Sequence, residues 1–194
     1  MERVLLEAFL VIDVQNDFCP GGALAVLEGD KIVQPINEAM DKFDLVVLTQ
    51  DWHPQEHKSF ASSHENKRPF DTVEIFYGDQ VLWLDPCIQG SLGANFHPDL
   101  KDEKADVIIR KGSNPSVDSY SAFFQNDKAT PTGLHGYLKD CDVTDLTLVG
   151  LATDFCVAFS ALDAASLGYQ VTVSLDIVWA IDADVFLRSA MGKM

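Results

Sequence analysis

Three apolar runs in this chain each end at a residue able to take part in covalent chemistry. Phe9-Leu10-Val11-Ile12 leads to Asp13, and Val107-Ile108-Ile109 leads to Arg110 and Lys111. Leu146-Thr147-Leu148-Val149 breaks at Gly150 and reaches Cys156 through Ala152-Thr153-Asp154. A thiol attacks carbonyl carbon, a carboxylate takes its proton and returns it to a leaving group, and an ammonium keeps that carboxylate ionised and polarises the sulfur. The set is suited to acyl transfer through a covalent intermediate. Taken singly, each residue has a plainer reading: a small buried cysteine, a capping or salt-bridged carboxylate, a solvated lysine. Cys156 follows a strand-to-helix turn, close to the first turn of the helix, where the positive end of the helix dipole favours a thiolate.

A second constellation is Asp51-Trp52-His53-Pro54-Gln55-Glu56-His57. One carboxylate and two imidazoles in one loop suit Zn²⁺, Fe²⁺ or Mn²⁺, although D-x-H alone is a weak pattern and a polar surface loop is the plainer alternative. His64, His97 and His135 are scattered and read as structural or solvent-facing. There is no G-x-G-x-x-G, Walker loop or G-x-S-x-G, and Pro20-Gly21-Gly22 reads as a turn.

The elements that must position these groups alternate between strand and helix. Strands are expected at 9–14, 44–49, 106–110, 145–149 and 170–175. Asp30 reads as the cap of a helix carrying Ile32, Val33, Ile36 and Met40, with Pro35 disturbing its first turns. Leu134 and Leu138 mark a short helix, residues 155–167 a longer one ending at Gly168, and 182–191 a last one. Residues 51–100, rich in Pro, Gly, His and aromatics, read as mostly irregular, and so long a stretch of that kind is usually a functional loop. Near-continuous apolar strands between helices imply a parallel sheet covered on both faces, a three-layer α/β/α fold of five or six strands. Right-handed crossovers put the strand C-termini on one edge, where ligands bind, so Asp13, Asp51, Lys111 and the Cys156 turn should share a side.

The 194 residues, 47% hydrophobic, suffice for one globular domain with a proper core. A net charge of −16 disfavours nucleic-acid binding, and no apolar run is long enough to span a bilayer. The first residues are interrupted by Glu7 and Asp13 with no small-residue cleavage site after them, so a cytoplasmic location is expected. Cys19, Cys87, Cys141 and Cys156 show no C-x-x-C spacing and read as reduced thiols.

From about Phe9 to Asp176 the chain resembles the nicotinamidase/pyrazinamidase branch of the isochorismatase-like cysteine hydrolase family. The resemblance rests on Val11–Val26, Gln50–Pro54, Ser59–Ser62, Lys111–Phe123 and Gly150–Val157. It implies a triad of Asp13, Lys111 and Cys156, a cis peptide before Ala152, and an oxyanion hole from the amides of Ala152 and Cys156. It also implies a ring pocket lined by Phe18, Trp83 and Tyr120, and a divalent metal, zinc first with iron or manganese as alternatives, on Asp51 and His53. The implied reaction is hydrolysis of nicotinamide to nicotinate and ammonia through a Cys156 thioester, a step of NAD salvage.

The chain departs from the pattern twice. Where the family has Trp-Pro-x-His-Cys, this sequence reads Trp83-Leu84-Asp85-Pro86-Cys87, so proline replaces a metal ligand. Asp85 or His57 are the available substitutes, and a poorer ligand set predicts weaker metal retention. Asp176-Ile177-Val178-Trp179-Ala180 replaces the family's usual turn, and the chain stops at Met194, which implies that the last strand of the fold is missing from the single domain 1–194. A sheet edge left open in this way needs a helix or a partner, a second copy included. Two other readings follow from Pro86: a related cysteine amidohydrolase acting on another small amide, or a weakly active binding or scaffold protein.

Overall fold

A computed structural model describes residues 6–181. Its centre is a five-stranded parallel sheet of β1 (Leu6–Ile12), β2 (Leu45–Asp51), β5 (Val107–Lys111), β6 (Val143–Leu151) and β7 (Gln170–Trp179), in the order β5-β2-β1-β6-β7. Phe9, Leu10, Val11 and Ile12 of β1 are all buried, which is why that strand reads as an unbroken apolar run. Residues of alternate parity along β1 serve two cores. Phe9 and Val11 pack with Ile32, Ile36 and Met40 on one face, and Ala8, Leu10 and Ile12 pack with Leu134, Leu138 and Val157 on the other. The three layers follow: helix α1 (Val33–Met40) on one side, α2 (Leu134–Asp140) and α3 (Ala158–Ser166) on the other.

The strand order grows outward from β1 through β2 to β5, then returns to β6 beside β1. The crevice between β1 and β6 is thus the switch point at which such sheets bind ligands. The two strands approach closely there. Gly150 has φ +115°, and a Cβ at that position would stand 2.1 Å from the Ile12 carbonyl oxygen, so only glycine fits.

Several sequence expectations are corrected in detail. Asp30 caps nothing through its side chain; it lies inside a 3₁₀ turn, Gly29–Ile32, that runs into α1, and Pro35 sits in the first turn, where a missing N–H is tolerated. The 51–100 segment holds an antiparallel hairpin, β3 (Thr72–Ile75) and β4 (Gly78–Val81). The helix expected at 155–167 begins as a π turn, Thr153–Val157, before α3. β7 does not end at 175. It leaves the ladder after Val173 pairs with Leu148, and rejoins where Val178 pairs with Gly150 and Trp179 with Leu151. The helix expected at 182–191 lies outside the described residues.

Candidate active site

Four strand ends deliver the rim cluster. β1 gives Asp13, β2 gives Asp51, β5 gives Lys111, and the turn after β6 gives Cys156. Asp51 and Lys111 are register partners, and the Trp52 N–H donates to the Lys111 carbonyl at 2.9 Å. The Gln15 side chain clasps the end of β2: its Nε2 donates to the Asp51 carbonyl at 2.9 Å and its Oε1 accepts the Asp51 N–H at 2.8 Å. Asp13 turns the chain out of β1 with φ +49°, a conformation aspartate tolerates better than most residues.

The Lys111 ammonium reaches from β5 across β2 into the switch-point crevice. Its Nζ lies 2.8 Å from Asp13 Oδ2, 2.5 Å from Asp51 Oδ1, 3.0 Å from the Ser119 carbonyl and 3.5 Å from Cys156 Sγ. Asp13, Asp51, Lys111 and Cys156 are all buried. Burial works against the lysine charge, but Asp13 and Asp51 outweigh it and hold Lys111 well above its ordinary pKa. Asp51 moves the other way: burial raises it and Lys111 only partly offsets this, leaving it at about 6. The second carboxylate oxygen of Asp13 is held by Thr49, whose hydroxyl donates to Oδ1 at 2.6 Å and accepts the Asp13 N–H at 3.1 Å. Thr49 is fully buried in β2, at the end of the strand expected at 44–49.

Cys156 corrects one expectation. The helix start and the nearby ammonium pointed to a thiolate, but burial dominates and pushes the thiol well above its usual pKa, with Lys111 opposing and Asp13 and Asp51 adding to the rise. A thiol biased toward its neutral form in this way would give its proton to a neighbour as it attacks. Leu151–Ala152 is a cis peptide, as the resemblance implied, and the Ala152 carbonyl accepts the N–H groups of Phe155 and Val157 at 3.1 Å each, which curls the turn that presents Cys156.

Above the cluster lies a pocket lined by Phe18, Trp83, Tyr120, Phe155, Ala152 and Cys156, with Asp51, His53 and Asp118 at its polar side. Phe18, Trp83 and Tyr120, the ring-pocket residues implied by sequence, are brought together. Phe155 completes the wall, edge-on to Trp83 at 4.8 Å and to Tyr120 at 5.6 Å. It lies inside the Gly150–Val157 stretch, but nothing in its spacing marked it. Gln80 of β4, buried, donates to the Tyr120 hydroxyl at 2.8 Å and so ties the hairpin to the pocket.

The expected metal ligands divide. Asp85 is not in the site: both its oxygens accept from the Ser62 hydroxyl at 2.8 Å, on the surface. Asp51 Oδ1 is engaged by Lys111, one Asp51 oxygen groups with Asp13 and Cys156, and the carboxylate also feels the charges of His53 and Asp118. His53 and His57 stand together, ring centroids 4.7 Å apart, and the sequence had not singled out their third companion, Asp118. One donor atom from each of His53, His57 and Asp118 lies within 4.8 Å of the others, and all three residues are buried. Two imidazoles and a carboxylate are a donor set that Zn²⁺, Fe²⁺ or Mn²⁺ accepts. Among the described residues His57 Nε2 is buried and meets no hydrogen-bond partner of normal geometry, although the backbone of Asn114 and Val117 lies close, as suits a ligand nitrogen. The residues present fit a divalent metal. Pro86, where the resemblance implied a histidine, offers its carbonyl 3.2 Å from His53 Nδ1. Gly112, at φ +66°, makes room for this corner, since a Cβ there would stand 2.6 Å from His53 Nε2.

Residues 7–191 match the model of the isochorismatase domain. A nicotinamidase of Acinetobacter baylyi is 49% identical over 187 residues, covering 96% of this chain and 87% of the relative. Among solved structures, an Acinetobacter baumanii nicotinamidase/pyrazinamidase superposes with a TM-score of 0.94 at 49% identity, over 99% of this chain and 93% of that one. A Pyrococcus horikoshii pyrazinamidase in complex with zinc superposes with a TM-score of 0.77 at 36% identity, over 96% and 93%.

Proposed function

The chain belongs to the isochorismatase family, and from that premise we propose how its rim cluster hydrolyses the carboxamide of nicotinamide. The products are nicotinate and ammonia, and the reaction is one of NAD salvage. The observation that carries the assignment of roles is Lys111 Nζ lying 2.8 Å from Asp13 and 3.5 Å from Cys156 Sγ in a water-excluded crevice beneath an aromatic pocket.

The pyridine ring lies between Phe18, Trp83, Tyr120 and Phe155, with its carboxamide over Cys156. As Sγ forms its bond to the carbonyl carbon, the thiol proton passes to Asp13, and Lys111 stabilises the negative charge on either atom. The carbonyl oxygen becomes an oxyanion, received by the N–H groups of Ala152 and Cys156. The C–N bond then breaks as Asp13 returns the proton to the departing nitrogen, giving ammonia and a thioester. Asp13 next takes a proton from water, whose oxygen attacks the thioester. Nicotinate leaves, and the sulfur recovers that proton. Thr49, bonded to Asp13 Oδ1, leaves Oδ2 as the oxygen that exchanges protons.

A divalent metal, zinc in our reading, would be held at the polar side of the pocket with His53 among its ligands, and would supply Lewis-acid contact to the ring nitrogen. The reading takes residues 1–194 as one hydrolase domain. Its test is ammonia release from nicotinamide by the full chain, with Cys156→Ala as control. Release that disappears in the variant supports it; equal release from wild type and variant, or none from wild type with or without added Zn²⁺, overturns it.

A further inference from the structure

Asp13 is fully buried, and its two carboxylate oxygens have different surroundings. Oδ1 accepts the Thr49 hydroxyl hydrogen at 2.6 Å, and the same hydroxyl oxygen accepts the Asp13 N–H at 3.1 Å. A main-chain N–H can only donate, so it takes a lone pair of Thr49 Oγ1 and leaves the hydroxyl hydrogen for the carboxylate. The hydroxyl thus ties together the amide and the carboxylate of one residue, at the point where Asp13 leaves β1 with φ +49°. Sheet register delivers it: Leu48 pairs with Val11, and Thr49 follows one position on. Oδ2 lies 2.8 Å from Lys111 Nζ, yet among the described residues it meets no hydrogen-bond partner of normal geometry. The lysine explains this. An ammonium has three hydrogens, and those of Lys111 are directed to Asp51 Oδ1 at 2.5 Å, the Ser119 carbonyl at 3.0 Å and Cys156 Sγ at 3.5 Å. Lys111 therefore gives Oδ2 its charge but no hydrogen, and Oδ2 keeps its lone pairs for an incoming proton.

We propose that Thr49 is the positioning residue of the proton transfer: by occupying Oδ1 and anchoring the Asp13 amide, it fixes the carboxylate so that Oδ2 alone exchanges protons with Cys156 and the leaving nitrogen. Asp13 offers an oxygen within 4.8 Å of Cys156 Sγ, so a small rotation decides whether the pair is in reach. The terminal torsion of an aspartate is broad and two-fold, and by itself would let the two oxygens trade places. The Thr49 hydroxyl removes that freedom. Thr49 is not among the residues that line the pocket, so it acts through Asp13 and touches no substrate. Its two functions are separable in chemistry: the methyl fills space in the sheet, and the hydroxyl holds the base. The inference rests on the reading of the cluster as a cysteine hydrolase, and its test includes a measurement that needs no nicotinamide.

The test compares the full chain with Thr49→Val, which keeps the shape and loses the hydroxyl, and with Thr49→Ser, which keeps the hydroxyl and loses the methyl. On nicotinamide, Thr49→Val is expected to lower kcat by on the order of 10- to 100-fold, part of the roughly 10²–10⁴-fold that a positioned acid–base group contributes, with KM within about threefold. Thr49→Ser is expected to keep kcat within about threefold of wild type. A purely structural Thr49 predicts the opposite order, an active Thr49→Val and a weakened Thr49→Ser. That opposite order, equal activity in all three proteins, or a loss in Thr49→Val carried by KM alone overturns the proposal. Alkylation of Cys156 by iodoacetamide, followed by peptide mass, gives the second reading. Sulfur bonds to the methylene carbon, iodide leaves, and the thiol proton passes to Asp13. The rate should fall by about fivefold or more in Thr49→Val and return in Thr49→Ser, and equal rates in all three overturn the proposal. Absence of ammonia release from wild type ends the reading of the substrate but leaves the alkylation comparison to decide the role of Thr49. Circular dichroism checks the fold of each variant; if Thr49→Val is unfolded, Thr49→Ala replaces it under the same criteria.

Discussion

The rim cluster and the metal corner are adjacent in space but differ in how the chain builds them. Asp13, Asp51 and Lys111 stand at the ends of hydrogen-bonded parallel strands, so sheet register sets their separations, and Asp51 and Lys111 are direct register partners. His53, His57 and Asp118 come from two loops held by turns, side-chain contacts and one isolated bridge at His53. A strand end can move little without breaking a ladder, whereas a loop can change a ligand and settle again. That contrast fits a proline at position 86 beside an intact cluster of Asp13, Lys111 and Cys156.

The largest expected effect breaks the rigid side. Lys111→Met leaves two buried carboxylates facing each other, and removing one partner of a buried ion pair costs about 3–5 kcal/mol; urea denaturation should show that loss along with the loss of ammonia release. A smaller effect separates the two regions. Gly112→Ala drives a Cβ into His53 at a strained φ of +66°, so zinc affinity should fall by calorimetry, and if the regions are separate iodoacetamide should still label Cys156 at the wild-type rate. If both change together, the regions are one unit. Smaller again is a change of pH profile. Asp51 is ionised above about 6, so as pH falls through that value it takes a proton and Lys111 loses one carboxylate partner. The acid limb of kcat/KM should therefore lie near 6, and Asp51→Asn should remove it from the profile. The smallest concerns Asp85: Asp85→Ala should leave zinc affinity unchanged and stability within about 0.5 kcal/mol by thermal melt, because among the described residues this carboxylate is hydrogen-bonded to a surface serine.

The same contrast governs what could be read in advance. The five strands and the meeting of Asp13, Lys111 and Cys156 were legible, since apolar runs announce buried strands and the parallel topology puts their ends on one edge. Thr49 was not, because a threonine facing β1 looks like any β-branched strand residue until its hydroxyl is placed against Asp13. Asp118 was not, because it follows Lys111 in a loop with no periodicity to assign it a direction. The hairpin β3–β4 escaped notice since each strand has only four residues and both lie in a Pro- and Gly-rich segment. The protonation of Cys156 was harder to read: sequence reports the charges near it but not how far burial raises the thiol against them.

The detour in β7 has a consequence of its own. Ser174–Ile177 stand opposite Val149 alone, with Leu175 68% exposed, and the strand then re-enters the ladder to bring the Ile181 N–H to Asp154 Oδ1 at 3.0 Å. The slack lies outside the anchored stretches on either side. Lengthening or shortening it by a residue should be absorbed at the surface, leaving Ile181 against the substrate cleft and giving evolution a place to vary this margin of the molecule without retuning its chemistry.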